Sequence, residues 1–168
     1  MKKLFLAGAL ALFGAVNAQS NGHFKLGANV SLPVGSFGDL YSVGIGADLG
    51  YMFKVAKDFE LGAVTGYTHF FGKEFKYGIP GYEVTVKNDG VGVIPVAASA
   101  KYNVTPEFFL GTDLGVAFYT VKDSGTAFYY NPKVGYQFSN NEIALSYKGF
   151  SRDGGNSGAV SLGYFYNF

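Results

Sequence analysis

The feature that most limits what this chain can fold into is a period-two alternation that returns in eight segments: 23–32, 43–53, 59–69, 91–102, 108–118, 128–138, 142–150 and 158–168. In each, large apolar residues alternate with small or polar ones, which places two different residue sets on the two faces of a strand. Most segments run nine to eleven residues, the length a tilted strand needs to cross a bilayer core. Long connections (33–42, 70–89, 119–127, 151–157) alternate with short ones (54–58, 103–107, 139–141). That spacing predicts an all-β, antiparallel, up-and-down meander. Pro95 and Pro132 fall inside strands, and bulges are expected there because proline removes a ladder hydrogen bond.

Composition agrees. The chain holds 25 Gly, 17 Phe and 13 Tyr with no Cys and no Trp. Aromatic content this high argues against disorder, and scattered glycine argues against helices. The absence of Cys removes thiol metal sites and disulfides.

The first residues read as a leader rather than as part of the fold. Met1-Lys2-Lys3 is followed by an uncharged run, 4–16, and by Val16-Asn17-Ala18, a small-residue cleavage pattern. The run is too short to span a bilayer. Residues 1–18 are therefore expected to be a secretory signal peptide and 19–168 a single barrel domain. Removing Lys2 and Lys3 leaves 11 basic against 12 acidic residues, a balance that gives no reason to expect a nucleic-acid partner.

Side-chain size decides which face is inside. One set is crowded with Phe, Tyr, Leu, Ile and Val; the other is mostly Gly, Ala and Ser with a few long charged chains. An eight-stranded lumen is just wide enough for side chains to fill, so the small set belongs inside and the bulky set faces lipid. A soluble ligand-carrying barrel would reverse this. With strands read alternately up and down, Phe24, Tyr51, Phe53, Phe59, Tyr102, Phe108, Tyr136, Phe138, Tyr166 and Phe168 collect at one rim. Tyr67, Phe118, Phe128, Tyr130 and Tyr147 collect at the other, as in the two interfacial girdles of a membrane barrel.

The leader, the repeated pattern of Phe108-Phe109-Leu110-Gly111-Thr112-Asp113-Leu114-Gly115 and the closing Tyr164-Phe165-Tyr166-Asn167-Phe168 together resemble the small eight-stranded outer-membrane barrels of the OmpA-like and OmpX-like kind. The resemblance implies an eight-stranded antiparallel transmembrane β-barrel in the outer membrane of a Gram-negative bacterium, reached through the periplasm. It also implies that Tyr164, Tyr166 and Phe168 serve as the C-terminal assembly signal. The implied partners are outer-membrane lipid and, during biogenesis, periplasmic chaperones and the barrel-assembly machinery.

Inward phases hold Lys25, Lys101, Lys133 and Lys148 against Asp48, Glu60, Asp113 and Glu142. Buried charges survive only when paired or hydrated, so a neutral internal network plugging the lumen is expected. No cofactor is implied. Lipid A deacylases and palmitoyltransferases resemble this scaffold, but acyl transfer needs a base beside a nucleophile. The chain offers only His23 and His69, at opposite rims, with Ser42, Ser151 and Ser157 near the outer one. The reading is therefore a monomeric, non-enzymatic barrel with a structural or surface-interaction role. A lipid A-modifying acyl hydrolase and a soluble ligand-binding barrel are the alternatives. The long loops are the candidate contact surfaces. Of these, 70–89 reads best as a strand extension above the membrane, and 151–157 as a plain turn.

The face assignment makes a stability prediction. Leu114→Arg, at mid-strand on the outward face, should cost about 2–4 kcal/mol of stability in bilayer, read from urea unfolding of protein refolded into phospholipid vesicles. A cost indistinguishable from zero would take Leu114 off the lipid face.

Overall fold

The computed structural model describes residues 22–79, 82–121, 125–152 and 154–168. The expected leader, 1–18, lies outside the described residues. Ten strands and one short helix follow in order: β1 (Gly22–Val34), α1 (Ser36–Leu40), β2 (Tyr41–Ala56), β3 (Phe59–Gly72), β4 (Glu74–Ile79), β5 (Tyr82–Lys87), β6 (Val91–Asn103), β7 (Phe108–Tyr119), β8 (Thr126–Phe138), β9 (Asn141–Arg152) and β10 (Gly155–Asn167). Eight of them close into an antiparallel barrel in the order β1-β10-β9-β8-β7-β6-β3-β2, while β4 and β5 form a separate two-stranded hairpin. The fold is an eight-stranded transmembrane β-barrel. The loop 70–89, expected as a strand extension above the membrane, makes this separate hairpin, because Glu74 to Ile79 pairs with Tyr82 to Lys87.

Closure is made at the β1–β10 seam. Its register runs from Lys25↔Asn167 to Val34↔Gly158, and Phe168 N donates to Phe24 O at 2.8 Å. The short turns are locally encoded. Thr105 Oγ1 accepts from the backbone N–H of Glu107 (3.2 Å) and Phe108 (3.0 Å), ordering the turn ahead of β7. Ser139 takes φ 52° in the two-residue turn before β9.

The expected bulges at Pro95 and Pro132 are not what the strands do. Pairing lapses between β3 and β6 after Thr65↔Val96 and resumes at Thr68↔Val93 in the same register. Between β8 and β9 it lapses after Tyr130↔Gly149 and resumes at Lys133↔Ser146, again unshifted. Pro95 still pairs with Ala117 and Pro132 with Thr112 on their other sides. A proline lacks only the one N–H that would point at one neighbour, so one ladder suffers and the other stays whole. At the first gap Thr65 Oγ1 donates to Pro95 O at 2.9 Å, a side-chain bond where the ladder is open. Register shifts occur instead near the two ends of β2, at Tyr41/Gly44 and Lys54/Ala56.

The bulky set faces out. Leu26, Val30, Leu32, Leu49, Val96, Leu110, Leu114, Val134, Leu145 and Leu162 are all exposed and form one apolar belt. A soluble monomer rarely exposes so large a continuous patch. Edge-to-face rings mark the short-turn rim: Phe24–Tyr51 at 4.9 Å, Phe108–Tyr136 at 5.1 Å and Tyr166–Phe168 at 4.9 Å. Phe53 departs from the expected girdle, being buried at 7 % exposure. It lies beside the Lys54/Ala56 irregularity, where a change of register turns the strand end.

Outward glycines are covered by tyrosines. A Cβ at Gly149 would strike the Tyr130 ring, and one at Gly158 the Tyr147 hydroxyl. Gly115, on the inward face, is also filled: a Cβ there would meet the Val96 carbonyl and Ala97. Gly115→Ala should therefore destabilise by overpacking, about 1–3 kcal/mol, measured by the same urea titration. A neutral result would mean that the β6–β7 pair is looser than this geometry.

Candidate functional site: the lumen and its two mouths

The lumen is filled in three layers. At the short-turn end, Glu142 on β9 accepts from Lys25 on β1 and, at 2.6 Å, from Lys101 on β6. Asn167 Nδ2 donates to the same carboxylate at 3.1 Å. Lys101 Nζ also donates to Gln137 Oε1 at 2.7 Å and lies 3.9 Å from Glu60, whose other neighbour is His23 at 4.0 Å. Two rings complete the layer: Lys25 stands 4.5 Å from the centroid of Phe165, and Lys101 4.6 Å from that of Phe109. These cation–π contacts replace part of the lost hydration of the ammonium groups. Below them an open vestibule of about 340 Å³ is bordered by His23, Glu60, Gln137 and Asn140.

The middle layer is polar. Asp113 on β7 accepts from Lys133 at 2.7 and 2.8 Å, from Ser99 at 2.6 Å and from Asn131 at 2.8 Å. Across the lumen, Asp48 on β2 accepts from Asn29 at 2.8 Å and lies 3.7 Å from Lys148, which donates to Thr68 at 3.2 Å. Ser31 bridges Asn29 and Ser161 at 3.2 and 3.0 Å. A cavity of about 40 Å³ lies among Asn29, Asp48, Asn131 and Lys148, room for one or two water molecules.

The upper layer is apolar. Phe70, Tyr129 and Phe150 point inward with Val91, Val93, Ala97, Ala117, Ala127 and Ala159. Phe37, carried on α1, drops into this chamber and reaches Tyr41 at 4.7 Å, Phe70 at 5.0 Å and Phe150 at 6.1 Å. The helix is only one turn long and has no side-chain N-cap. It is tied instead to the foot of the β4–β5 hairpin. Lys73 Nζ donates to Gly38 O at 2.5 Å, Lys73 N to Leu40 O at 2.9 Å and Asn88 Nδ2 to Leu40 O at 3.0 Å.

All eight charged residues named from sequence thus point into the lumen, sorted into one cluster of four (Lys25, Glu60, Lys101, Glu142) and two pairs (Asp113–Lys133, Asp48–Lys148). Sequence reasoning missed the aromatics that share their phase. Phe109 is in step with Gly111 and Asp113, Tyr129 with Asn131, Phe150 with Lys148, and Phe70 with Glu60. The signal was the facing glycines. A Cβ at Gly27 or Gly163 would strike Phe165, at Gly135 Phe109, and at Gly44 Phe70. Phe37 had no such signal, because loop 33–42 has no alternation.

The two histidines are separate from one another. His69 faces outward between Tyr67, whose hydroxyl is 3.3 Å from Nδ1, and Phe71 at 4.8 Å, while His23 lies at the opposite end. Ser42 Oγ is bonded to Phe71 O at 3.2 Å. Tyr164, Tyr166 and Phe168 are exposed on the outer face, with Tyr164 bonded to Asn141. Residues 80–81, 122–124 and 153 of the candidate loops lie outside the described residues.

No protein-family model matches the sequence, and no curated protein matches it. Solved structures do match. The chain is similar to Ail of Yersinia pestis in a phospholipid bilayer nanodisc at 19% identity and TM-score 0.58, over 88% of this chain and 99% of that one. It is similar to the N-terminal β-barrel domain of OprF of Pseudomonas aeruginosa at 16% and 0.55, over 88% and 98%. It is similar to Neisserial surface protein A at 17% and 0.51, over 89% and 98%. The fold is therefore that of the small eight-stranded outer-membrane barrels. At such low identity the likeness reaches the fold and stops short of function.

Glu142 is the member of the site whose loss should matter most. Glu142→Ala leaves buried Lys25 without a carboxylate and Lys101 with only Glu60 at 3.9 Å, and should cost about 3–5 kcal/mol. Glu74→Ala, which breaks the exposed Lys87–Glu74 pair at 3.5 Å, should cost less than about 1 kcal/mol. Urea midpoints of the two refolded variants make the comparison, and equal costs would mean that the lower cluster is hydrated rather than buried.

Proposed function

We propose that the protein is a closed, monomeric, integral barrel of the bacterial outer membrane, with a structural or surface-interaction role and no enzymatic activity. In this reading residues 1–18 are the cleaved leader and 19–168 the barrel domain. Tyr164, Tyr166 and Phe168 are the strand-end signal read by the barrel-assembly machinery after escort by periplasmic chaperones. The observation that carries the reading is the contrast between the two faces of the wall: an apolar outer belt that suits lipid, and a lumen packed from the Glu142 cluster up to Phe37. The eight lumen charges serve as a plug rather than as an ion path. The candidate partner surface is the loops, 33–42, 70–89, 119–127 and 151–157. There the β4–β5 hairpin carries exposed Val86 and the Lys87–Glu74 pair out beyond the barrel strands. A non-enzymatic role is supported by His69, whose ring is taken up by Tyr67 and Phe71 at the lipid face.

Three measurements test this. The mature chain should partition into the outer-membrane fraction and change its gel migration on heating; recovery as a soluble periplasmic protein would overturn the membrane reading. Purified protein in planar bilayers should give no sustained open conductance. Mass spectrometry of lipid A from cells with and without the protein should show the same acyl chains, and a lost or added chain would replace the structural role with an acyl-transfer one.

A further inference from the structure

The upper lumen is closed differently from the lower. Below, the seal is made by side chains of the barrel wall itself. Above, the wall rings Phe70, Tyr129 and Phe150 are capped by a further ring, Phe37, on the segment that links β1 to β2. The chamber under that ring is lined by Phe70, Val91, Val93, Tyr129 and Phe150 together with four alanines, Ala97, Ala117, Ala127 and Ala159, and Phe37 packs onto the Phe70 and Phe150 rings from above. Its carrier links β1 to β2 through two glycines. Gly35 holds φ 60°, a left-handed conformation that disfavours side chains. Gly38 sits where a Cβ would press within 2.8 Å of Pro33 O. Among the described residues, the side chains bonded to the carbonyls of α1 are Lys73 and Asn88, one at each foot of the β4–β5 hairpin, and Asn88 N donates to Lys73 O at 2.9 Å to close that foot.

We propose that residues 35–40 form a lid over the extracellular mouth, with Phe37 as its stopper and Lys73 and Asn88 as a latch carried by the β4–β5 hairpin. The orientation rests on the outer-membrane reading above. A partner that displaces the hairpin moves both latch donors at once, because they share one hydrogen-bonded base. The lid then swings on Gly35 and opens the apolar chamber, while the Glu142 cluster keeps the lower lumen shut. A two-state element biased by a ligand at one end is what such coupling requires. The device gives the loop surface a way to report occupancy to the lumen without opening a pore.

Because the chain has no Cys, single-cysteine accessibility gives a clean test. Ala117→Cys, fully buried in the chamber wall, and Ala144→Cys, buried below the middle layer, serve as reporters. Each is placed in the otherwise unchanged chain, with Phe37→Ala, and with Lys73→Ala/Asn88→Ala. The refolded proteins, shown to be folded by heat-modifiable migration, are treated with a small charged methanethiosulfonate. Modification of A117C should be slow in the unchanged chain and about tenfold or more faster in both lid variants, as expected when a local opening equilibrium is shifted. A144C should stay slow throughout. An unchanged A117C rate with F37A would place the closure elsewhere and overturn the proposal. Acceleration by F37A but not by the latch pair would make Phe37 a fixed plug and not a lid. Should F37A fail to fold, the latch pair, which alters only surface side chains, decides alone. Rapid modification of A144C in the unchanged chain would count against the filled lumen while leaving the A117C comparison to judge the lid.

Discussion

The constraint on which everything else depends is that a lipid bilayer offers no hydrogen-bonding partner to a peptide group. An unpaired N–H or C=O in hydrocarbon costs several kcal/mol, so the sheet must close. The β1–β10 seam does this over ten register pairs, Lys25↔Asn167 to Val34↔Gly158. The two prolines show how strictly the rule is kept. Each opens one ladder and leaves the other intact, and at Pro95 the hydroxyl of Thr65 reaches the free carbonyl. The register shifts are confined to the parts of β2 near the rims, where water or head groups can satisfy what the ladder does not.

Closure fixes the diameter, and the diameter decides the side chains. Glycine does most of the fitting. Inside, Gly27, Gly163 and Gly135 make room for the rings of Phe165 and Phe109, which in turn hold the ammonium groups of Lys25 and Lys101. Outside, Gly149 and Gly158 lie under Tyr130 and Tyr147. A bare glycine backbone facing lipid is thereby shielded by a ring whose hydroxyl end can sit at the interface. The same pairing of small and large residues serves both faces, for opposite solvents.

Charge inside the wall follows from the same geometry. In a lumen this narrow, a lysine cannot reach bulk water and must find a carboxylate within a few ångströms or a ring to stand over. The lower cluster shares Glu142 between two lysines, and the middle layer gives Asp113 four donor contacts. Above Asp48 and Thr68 the polar network ends and the lumen turns apolar, sealed by a ring from α1. Polar filling toward the short-turn end and apolar filling toward the long-loop end give the two mouths different chemistry. Only the outer seal is attached to a loop.

Much of this was legible in the chain itself. Strand count, strand phase, the faces and the eight inward charges all follow from a side-chain period of two, which is a local property: the phase of Lys101 needs only Tyr102 and Ala100 beside it. What alternation cannot carry is any fact about partners across the lumen. That Glu142 serves Lys25 and Lys101, and Asp113 serves Lys133, depends on barrel closure and stagger, which bring Lys25 to Glu142 across 117 residues of sequence. The inward aromatics were hidden because size was taken as the mark of the lipid face, whereas Phe109 and Phe165 fit only because glycines on neighbouring strands give way. Pro95 and Pro132 were read as bulges because sequence shows a missing donor but not which neighbour it would have faced. Phe37 was out of reach altogether, since a one-turn helix in a loop has no periodicity to betray it. The sequence alone thus determined the wall of this protein, because a wall is local repetition; only the tertiary structure decided what fills it and what covers it, because both depend on where the wall closes.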